Sequence, residues 1–193
     1  FGWQGGSYEQ NFRAHESLDV ENTITVPLRE AYEGTQKSIR IAGEEVLQFS
    51  IPAGIQPDER ICLRARGRMG KSGRRGDRYL RIAFSADDQM TLEGLDIHMT
   101  RDIMPWDAAL GATLDILPLT QHLRVKVKPG TRSGVKLRLA GQGYRDKQGR
   151  RGDLYLTLVV QNPAHLTPEL TTLYQQAAEA AASPPTSRER NGR

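Results

Sequence analysis

The stretch "GRMGKSGRRGD", residues 67–77, reveals an internal repeat, because its last five residues recur as "GRRGD" at 149–153. A constant offset pairs Gly54 with Gly130 and Tyr79 with Tyr155, and the match continues upstream with a slip of one residue. Repetition at a fixed period indicates two copies of one structural unit, each of roughly seventy-odd residues. The chain is therefore predicted to contain two tandem modules.

The "GKS" at residues 70–72 resembles the end of a nucleotide-binding P-loop. That motif needs its first glycine at position 65, which is Ala65, and a helix directly after the loop. The strand-like run "RYLRIAF" follows instead, and Ser72 becomes Gln148 in the second copy. The shared feature is thus predicted to be a glycine-rich, charged turn between two strands, and Asp77 and Asp153 to accept hydrogen bonds from turn N–H groups.

Alternating apolar and polar residues predict strands along most of the chain. They are "NTITV" (22–26), "KSIRI" (37–41), "VLQFSI" (46–51), "RICLRAR" (60–66), "RYLRIAF" (78–84), "ATLDIL" (112–117), "LRVKV" (123–127), "VKLRL" (135–139) and "LYLTLVV" (154–160). "PLREAYEG" (27–34) and "PWDAALG" (105–111) predict short helices that begin at proline and end at glycine. The fold class is mainly β.

The composition divides the chain into five parts. Residues 1–17 are glycine-rich and aperiodic and predict a linker; 18–92 and 93–165 are the two β modules; 166–183 is a C-terminal helix; and 184–193 is expected to be disordered. In the helix, Thr167 is the predicted N-cap and Pro168 the first residue. Its apolar stripe packs either on its own module or on a second copy of the chain; it comprises Leu170, Leu173, Tyr174, Ala177 and Ala181.

The charge is unevenly distributed. The chain has 27 basic and 23 acidic residues, yet the segment from Arg60 to Arg81 contains many arginines and few acids. One explanation is a solvated strand face, and the other is an anionic partner such as DNA. The candidate DNA contacts are Arg64, Arg66 and Arg68, with Arg138 in the second copy.

The sequence gives no sign of catalysis. Its four histidines lack metal-ligand spacing, its one cysteine is Cys62, and no nucleophile motif is present. We therefore expect no catalytic residue, metal or cofactor, and the protein is predicted not to be an enzyme. No apolar run is long enough for a membrane span, and a single cysteine fits a reducing cytoplasm. Because the chain opens at Phe1, it is expected to be the later part of a longer protein or a processed one.

A family resemblance covers about residues 18–163. "VPLREAYEGT", "IPAGIQPDERICLRARGRMG", "GRRGDRYLRI" and "VKPGTRSGVKLRLAGQGY" resemble the C-terminal substrate-binding region of DnaJ-type J-domain co-chaperones. No cysteine-rich zinc module is present, so the chain is similar to the zinc-free class, and most of all to the bacterial curved-DNA-binding protein A type. The resemblance implies two β-sandwich-like modules, the end of a Gly/Phe-type linker at 1–17, and a homodimer formed through Leu170, Leu173, Tyr174 and Ala177.

The resemblance also implies where a client would bind. In the family, the groove lies on the first module along the strand that matches "KSIRI", which gives Lys37, Ile39 and Ile41, with Ile24 and Leu80 from neighbouring strands. An extended client adds there to the sheet edge. The alternative for each isoleucine is an ordinary core position.

The implied function is that of a cytoplasmic co-chaperone in protein folding and the stress response. It binds unfolded or non-native polypeptide and hands it to a DnaK-type ATP-driven chaperone. The alternative, which could also be a second activity, is non-specific or curvature-selective DNA binding by a nucleoid-associated protein. Such binding would depend strongly on salt.

Overall fold

The structure is a computed structural model that describes residues 18–40, 46–87 and 89–182. The first half contains β1 (Val20–Val26), α1 (Leu28–Glu33), β2 (Thr35–Arg40), β3 (Val46–Ile51), β4 (Arg60–Leu63) and β5 (Arg78–Phe84). The second half contains β6 (Met90–Glu93), β7 (Asp96–Ile103), α2 (Pro105–Leu110), β8 (Ala112–Ile116), β9 (Leu123–Val127), β10 (Val135–Leu139) and β11 (Leu154–Val160). α3 (Pro168–Ala182) follows them.

The two halves have the same topology, which confirms the mainly β fold of two modules. In module 1, β5 lies between β1, to which it is parallel, and β4, to which it is antiparallel. In module 2, β11 lies in the same way between β7 and β10. Each module adds a two-stranded sheet, β2–β3 or β8–β9. The second module differs by the extra edge strand β6.

Strands β6 and β7 were not among the predicted strands, and they lie at the predicted module boundary. A boundary between residues 92 and 93 falls inside β6, which pairs with β7 through a two-residue turn at Gly94. Met90 is only 8% exposed and belongs to the core of module 2. Because a strand belongs with the sheet that it pairs with, we propose that module 2 begins before Met90.

Each module has its own apolar core. In β3 every second residue is buried, as the alternation predicts, and Phe49 and Ile51 from this strand meet Ile82 of β5 and Ala31 of α1. The larger core of module 2 forms in the same way around β7 and β11. Phe84 packs against both cores, so the modules are in contact.

The repeated turn is a hairpin in both modules, as predicted. Hairpin 1 (residues 67–76) and hairpin 2 (residues 143–152) close with matching hydrogen bonds, Gly67 N–H to the Gly76 carbonyl at 2.8 Å and Gly143 N–H to the Gly152 carbonyl at 2.9 Å. "GKS" therefore lies in a hairpin between strands, and the helix that a P-loop requires does not follow it.

The two aspartates after the hairpins also act as predicted. Asp77 Oδ1 accepts the Ala65 N–H at 2.8 Å, and Asp153 Oδ1 accepts the Gly141 N–H at 2.7 Å. Each carboxylate ties the start of one strand to the turn that ends another. β4 is shorter than predicted because Ala65 takes a positive φ of 53° and leaves the strand conformation.

Hairpin 2 attaches module 2 to module 1. The fully buried Tyr144 donates its hydroxyl to the Ile55 carbonyl at 2.5 Å, and its ring meets Tyr32 edge-on at 5.7 Å. Lys147 forms an ion pair with Glu59 at 2.5 Å. This contact, which we call the module joint, involves buried aromatic surface, a buried hydrogen bond and an ion pair.

The C-terminal helix begins as predicted. The Leu170 N–H donates to Thr167 Oγ1 at 3.2 Å, which makes Thr167 the N-cap. Within the described residues no helix is long and apolar enough to cross a membrane. The predicted linker at 1–17 and the predicted tail at 184–193 lie outside the described residues.

Candidate functional site

Strand β2 has an edge that is open to an added strand. Among the described residues it pairs only with β3, so the backbone groups of its other edge have no strand partner. Lys37 and Ile39 lie on the same half-buried face of β2, and Ile39 packs with Ile24 against the core of module 1. An open edge beside a half-exposed apolar face is the arrangement that strand addition requires.

The other predicted groove residues behave differently. Leu80 is fully buried in the core of module 1, and a client could reach it only if the core opened. We therefore correct the prediction for Leu80, which supports the groove from below and does not line it. Ile41 lies outside the described residues.

Lys37 is held in place by an acidic residue of α1. Its Nζ lies 2.7 Å from Glu30 Oε2, and both side chains are partly exposed. The ammonium group is thus neutralised at the end of a stem that covers the face of β2. This face of β2 is consequently apolar with a local ion pair, and Lys37 adds no net positive charge to it.

The four predicted DNA contacts divide into two groups. Arg64, Arg66 and Arg68 are exposed in module 1. Arg138 in module 2 lies 2.6 Å from Asp153, whose hydrogen bond raises the pKa of the guanidinium. The Gly141 N–H, together with Arg138, lowers the pKa of Asp153. Arg138 therefore shares its charge with Asp153, and its role as a DNA contact stays a prediction.

Comparison of the hairpins shows which charges the fold itself uses. In hairpin 2, Arg150 lies 2.7 Å from the buried carboxylate of Asp146, and Lys147 pairs with Glu59 in the joint. In hairpin 1, Arg68, Lys71 and Arg74 are exposed and form no ion pair with any described residue. The charges of Arg68, Lys71 and Arg74 are thus available to a partner, whereas those of Lys147 and Arg150 are used inside the protein.

A groove of about 490 Å³ separates the sheets of module 1. We call it the β3–β4 groove; it is lined by Val46, Leu47, Gln48, Cys62, Leu63, Arg64 and Arg66. Cys62 is a free, exposed thiol. This groove was not predicted from the sequence. A signal was present in the repeat, because Arg64 and Arg66 correspond to the uncharged Ala140 and Gln142 in the second copy.

A second groove, of about 510 Å³, lies between α2 and α3. It is almost entirely apolar and is lined by Pro105, Trp106, Ala109, Leu110, Leu170, Leu173, Tyr174 and Ala177. Four residues of the predicted stripe of α3, all except Ala181, therefore face α2 of the same module, but no residue of α3 is buried there. Leu110 is 76% exposed and Leu173 60%. Packing within one chain leaves this apolar surface uncovered.

The described part of the chain contains no group of three or more His, Cys, Asp or Glu side chains that could hold a metal ion. The shifted pKa values of Arg81, Arg138, Asp146 and Asp153 belong to groups in ion pairs, and that of Tyr144 belongs to the module joint.

Comparison with known proteins agrees with this architecture. Residues 20–163 match the family model for the DnaJ C terminal domain. The chain is 34% identical to the Chaperone protein DnaJ 2 of Synechocystis sp. over 161 residues, which cover 83% of this chain and 51% of that protein. It is 32% identical to the Curved DNA-binding protein of Pseudomonas syringae pv. tomato over 199 residues, which cover 94% and 63%. The protein of the same name from Coxiella burnetii is 32% identical over 175 residues, which cover 83% and 55%. The chain thus spans about half to two-thirds of the length of these relatives.

Proposed function

Because this chain belongs to the DnaJ C-terminal domain family, we propose that it is the client-binding part of a cytoplasmic J-domain co-chaperone. It binds unfolded or non-native polypeptide and passes it to a DnaK-type chaperone. The observation that carries the proposal is the open edge of β2 beside the half-buried side chain of Ile39. Client binding is inferred from the family, and the open edge of β2 is a surface to which an extended client can add as a strand.

Strand addition explains how one site accepts many clients. The backbone of the client pairs with the edge of β2, and such hydrogen bonds do not depend on the client's sequence. Alternate client side chains then meet Ile39 and Ile24, which favours apolar residues at every second position. A folded protein offers few such segments, so the site selects unfolded chains.

The test is suppression of aggregation of an unfolded client without ATP. Ile39→Ser should weaken suppression, because a half-buried isoleucine contributes apolar contact area worth about 1 kcal/mol or more. Gln36→Ser is the matched control, since Gln36 lies on the exposed face of the same strand. If folded Ile39→Ser holds the client as well as Gln36→Ser does, β2 is not the client site.

We propose in addition that the protein is a homodimer in which α3 of a second copy covers the groove between α2 and α3. The end of α2 corresponds to the end of α1, where the loop at Gly54 docks against hairpin 2. In module 2 the same corner, with Gly130 bonded to Ala109, leaves Trp106 and Leu110 exposed. Apolar surface of this extent is typical of an interface.

Ending the chain after Pro163 tests the dimer by light scattering. The proposal predicts that the mass falls by about half and that both modules remain folded, because each module has its own core. Two joined chains would offer two client sites and thereby raise avidity without new contacts. A mass of one chain for the full-length protein would refute the dimer directly.

Hairpin 1 favours DNA binding as a second activity. Its exposed cations Arg68, Lys71 and Arg74 can contact phosphates, and some relatives are named for binding curved DNA. Arg68→Ala should weaken binding to a DNA duplex at low salt and lower the salt dependence by about one phosphate contact. Arg150→Ala is the matched control because Arg150 is paired with Asp146. Equal effects of the two substitutions would exclude hairpin 1 as the contact.

A further inference from the structure

Met69 is an apolar side chain of hairpin 1 that is 59% exposed. It pairs with Arg75 on the opposite arm of the hairpin. The other face of the hairpin lies against Leu18, since a Cβ at Gly70 would be 2.9 Å from the Leu18 side chain. Successive residues of an extended strand face opposite sides, so Met69 points away from Leu18. The fold of module 1 therefore leaves this apolar side chain uncovered.

The second copy shows that the hairpin does not need a methionine at this position. Both hairpins close with the same pattern of backbone hydrogen bonds. Arg145 corresponds to Met69, and its guanidinium lies over Tyr32 in the module joint, 5.9 Å from the centroid of the ring. The hairpin backbone thus accepts either residue, and the contacts of the side chain differ between the two copies. Met69 is therefore free to contact a partner.

Three cations surround Met69. Arg68 precedes it, Lys71 follows two residues later, and Arg74 precedes its pairing partner Arg75. All three are exposed, and none of them forms an ion pair with a described residue. Residues 67–76 contain no acidic residue, and two strand residues span only about 7 Å. A DNA duplex offers the matching arrangement, because its charged phosphates border the flat, apolar faces of the bases.

We infer that hairpin 1 enters the minor groove of a DNA duplex and that Met69 inserts between two adjacent base pairs, which kinks the duplex. The inference rests on the DNA binding proposed above. Arg68, Lys71 and Arg74 contact the phosphates along the rims of the groove, while Met69 replaces part of the base stacking that the kink removes. Apolar side chains inserted in this way bend a duplex by about 20–90° toward the major groove.

The chemistry of Met69 favours the minor groove. Its thioether has no hydrogen-bond donor, so it cannot read the donors and acceptors of the base edges in the major groove. The minor groove is about 6 Å wide, which is too narrow for two strands about 4.8 Å apart with their side chains. A kink opens the groove, and it forms most easily at a pyrimidine–purine step such as TA.

A lipid surface is the rival partner for a basic hairpin with an apolar side chain. Peripheral membrane segments hold their position by burying a broad apolar face, and hairpin 1 exposes one large apolar side chain, Met69. A gap between two base pairs needs only one such side chain. The hairpin consequently fits a duplex better than a membrane.

The kink is measured with the full chain and a duplex of about 20 base pairs that has a central TA step and a fluorophore at each end. Binding should raise the energy transfer between the ends. A 2-aminopurine placed beside the TA step should become brighter as it loses its stacking neighbour. The duplex should also bind about three- to tenfold more tightly than an A-tract duplex of equal length, which is stiffer.

Met69→Arg is the decisive variant, because it introduces the residue of the second copy and is compatible with the hairpin. The added cation should preserve or raise the affinity at low salt, yet both fluorescence changes should disappear and the preference for the TA duplex should fall to about one. Met69→Leu keeps an apolar side chain and should keep the kink. Ser72→Ala, at the exposed tip of the hairpin, is the control and should behave as the unsubstituted chain does.

A kink by Met69→Arg equal to that of the unsubstituted chain would overturn the inference, as would binding of the unsubstituted chain without a kink. Binding to phosphatidylglycerol vesicles that Met69→Leu preserves and Met69→Arg abolishes, with no kink in DNA, would assign the hairpin to a membrane surface instead. If the unsubstituted chain binds DNA at low salt but does not kink it, the proposed DNA binding stands and only the insertion of Met69 is wrong. If it binds no duplex at low salt, the proposed DNA binding itself is refuted together with the inference.

Discussion

Replacing Tyr144 with Phe should destabilise the protein by about 1–2 kcal/mol. The substitution leaves the buried ring in place and removes only the hydroxyl that donates to the Ile55 carbonyl at 2.5 Å. A typical hydrogen bond contributes about 1 kcal/mol net, and a buried acceptor left without a donor costs about 1–3 kcal/mol. For a chain of this size, the melting temperature should fall by roughly 3–6 °C. Tyr155→Phe is the control, since Tyr155 stacks on His98 and its hydroxyl bonds to no described residue.

The same hydroxyl predicts a loss of stability at alkaline pH. Burial, followed by the negative charge of Glu59, raises the pKa of Tyr144 above its ordinary value of 10.0. A group whose folded pKa is raised contributes stability that is complete below the unfolded pKa and is lost as the pH rises through the folded pKa. Urea unfolding should therefore show that the difference between the unsubstituted chain and Tyr144→Phe shrinks above about pH 10. A Tyr144→Phe protein as stable as Tyr155→Phe at pH 7 would refute the role of the hydroxyl in the joint.

Two further substitutions test the joint and the repeated turn. Gly54→Ala should destabilise the chain by at least about 1–3 kcal/mol, because Gly54 has a φ of 75° and a Cβ there would lie 2.6 Å from the Arg145 carbonyl oxygen. Gly149→Ala shares the positive φ but meets nothing within 4 Å, so a similar loss in urea unfolding would show that only backbone strain matters. Asp153→Asn should flatten the fall in stability at acid pH: the Gly141 N–H and Arg138 lower the pKa of Asp153 from 3.8, so its contribution is present above that value and is lost as the pH falls through the folded pKa. Identical acid unfolding of the Asn variant and the unsubstituted chain would contradict this assignment.

Much of the fold followed from the sequence because its determinants are local and occur twice. The alternation in "VLQFSI" specifies the buried face of β3, Pro105 and Gly111 delimit α2, and Thr167 caps α3. The repeat of "GRRGD" was sufficient to predict that residues 67–77 form a structural turn and not a phosphate-binding loop. Each of these features depends on residues a few positions apart, for which the chemistry of the side chain and the backbone is sufficient.

The candidate site could be predicted only in part. The alternation placed Lys37 and Ile39 on one face of β2, but it could not show that Leu80 is sealed in the core. Exposure depends on which sheet covers a strand, and that is a property of the assembled module. The alternation of apolar and polar residues therefore predicts the face of the strand on which a side chain lies, but it does not predict how deeply that side chain is buried.

The sequence alone predicts a mainly β module that is present twice, together with its turns and short helices. It also predicts the single C-terminal helix. The tertiary structure is needed to show how the contacts and exposed surfaces of the two modules differ. Tyr144 joins the modules, whereas Arg68 at the matching position is exposed to solvent. The edges of β3 and β4 line a common groove, and α3 lies beside α2 with Leu173 exposed. The reason is physical. A repeated pattern records the contacts within one unit, whereas a joint or a groove forms between segments that are distant in the chain and meet only when the modules pack.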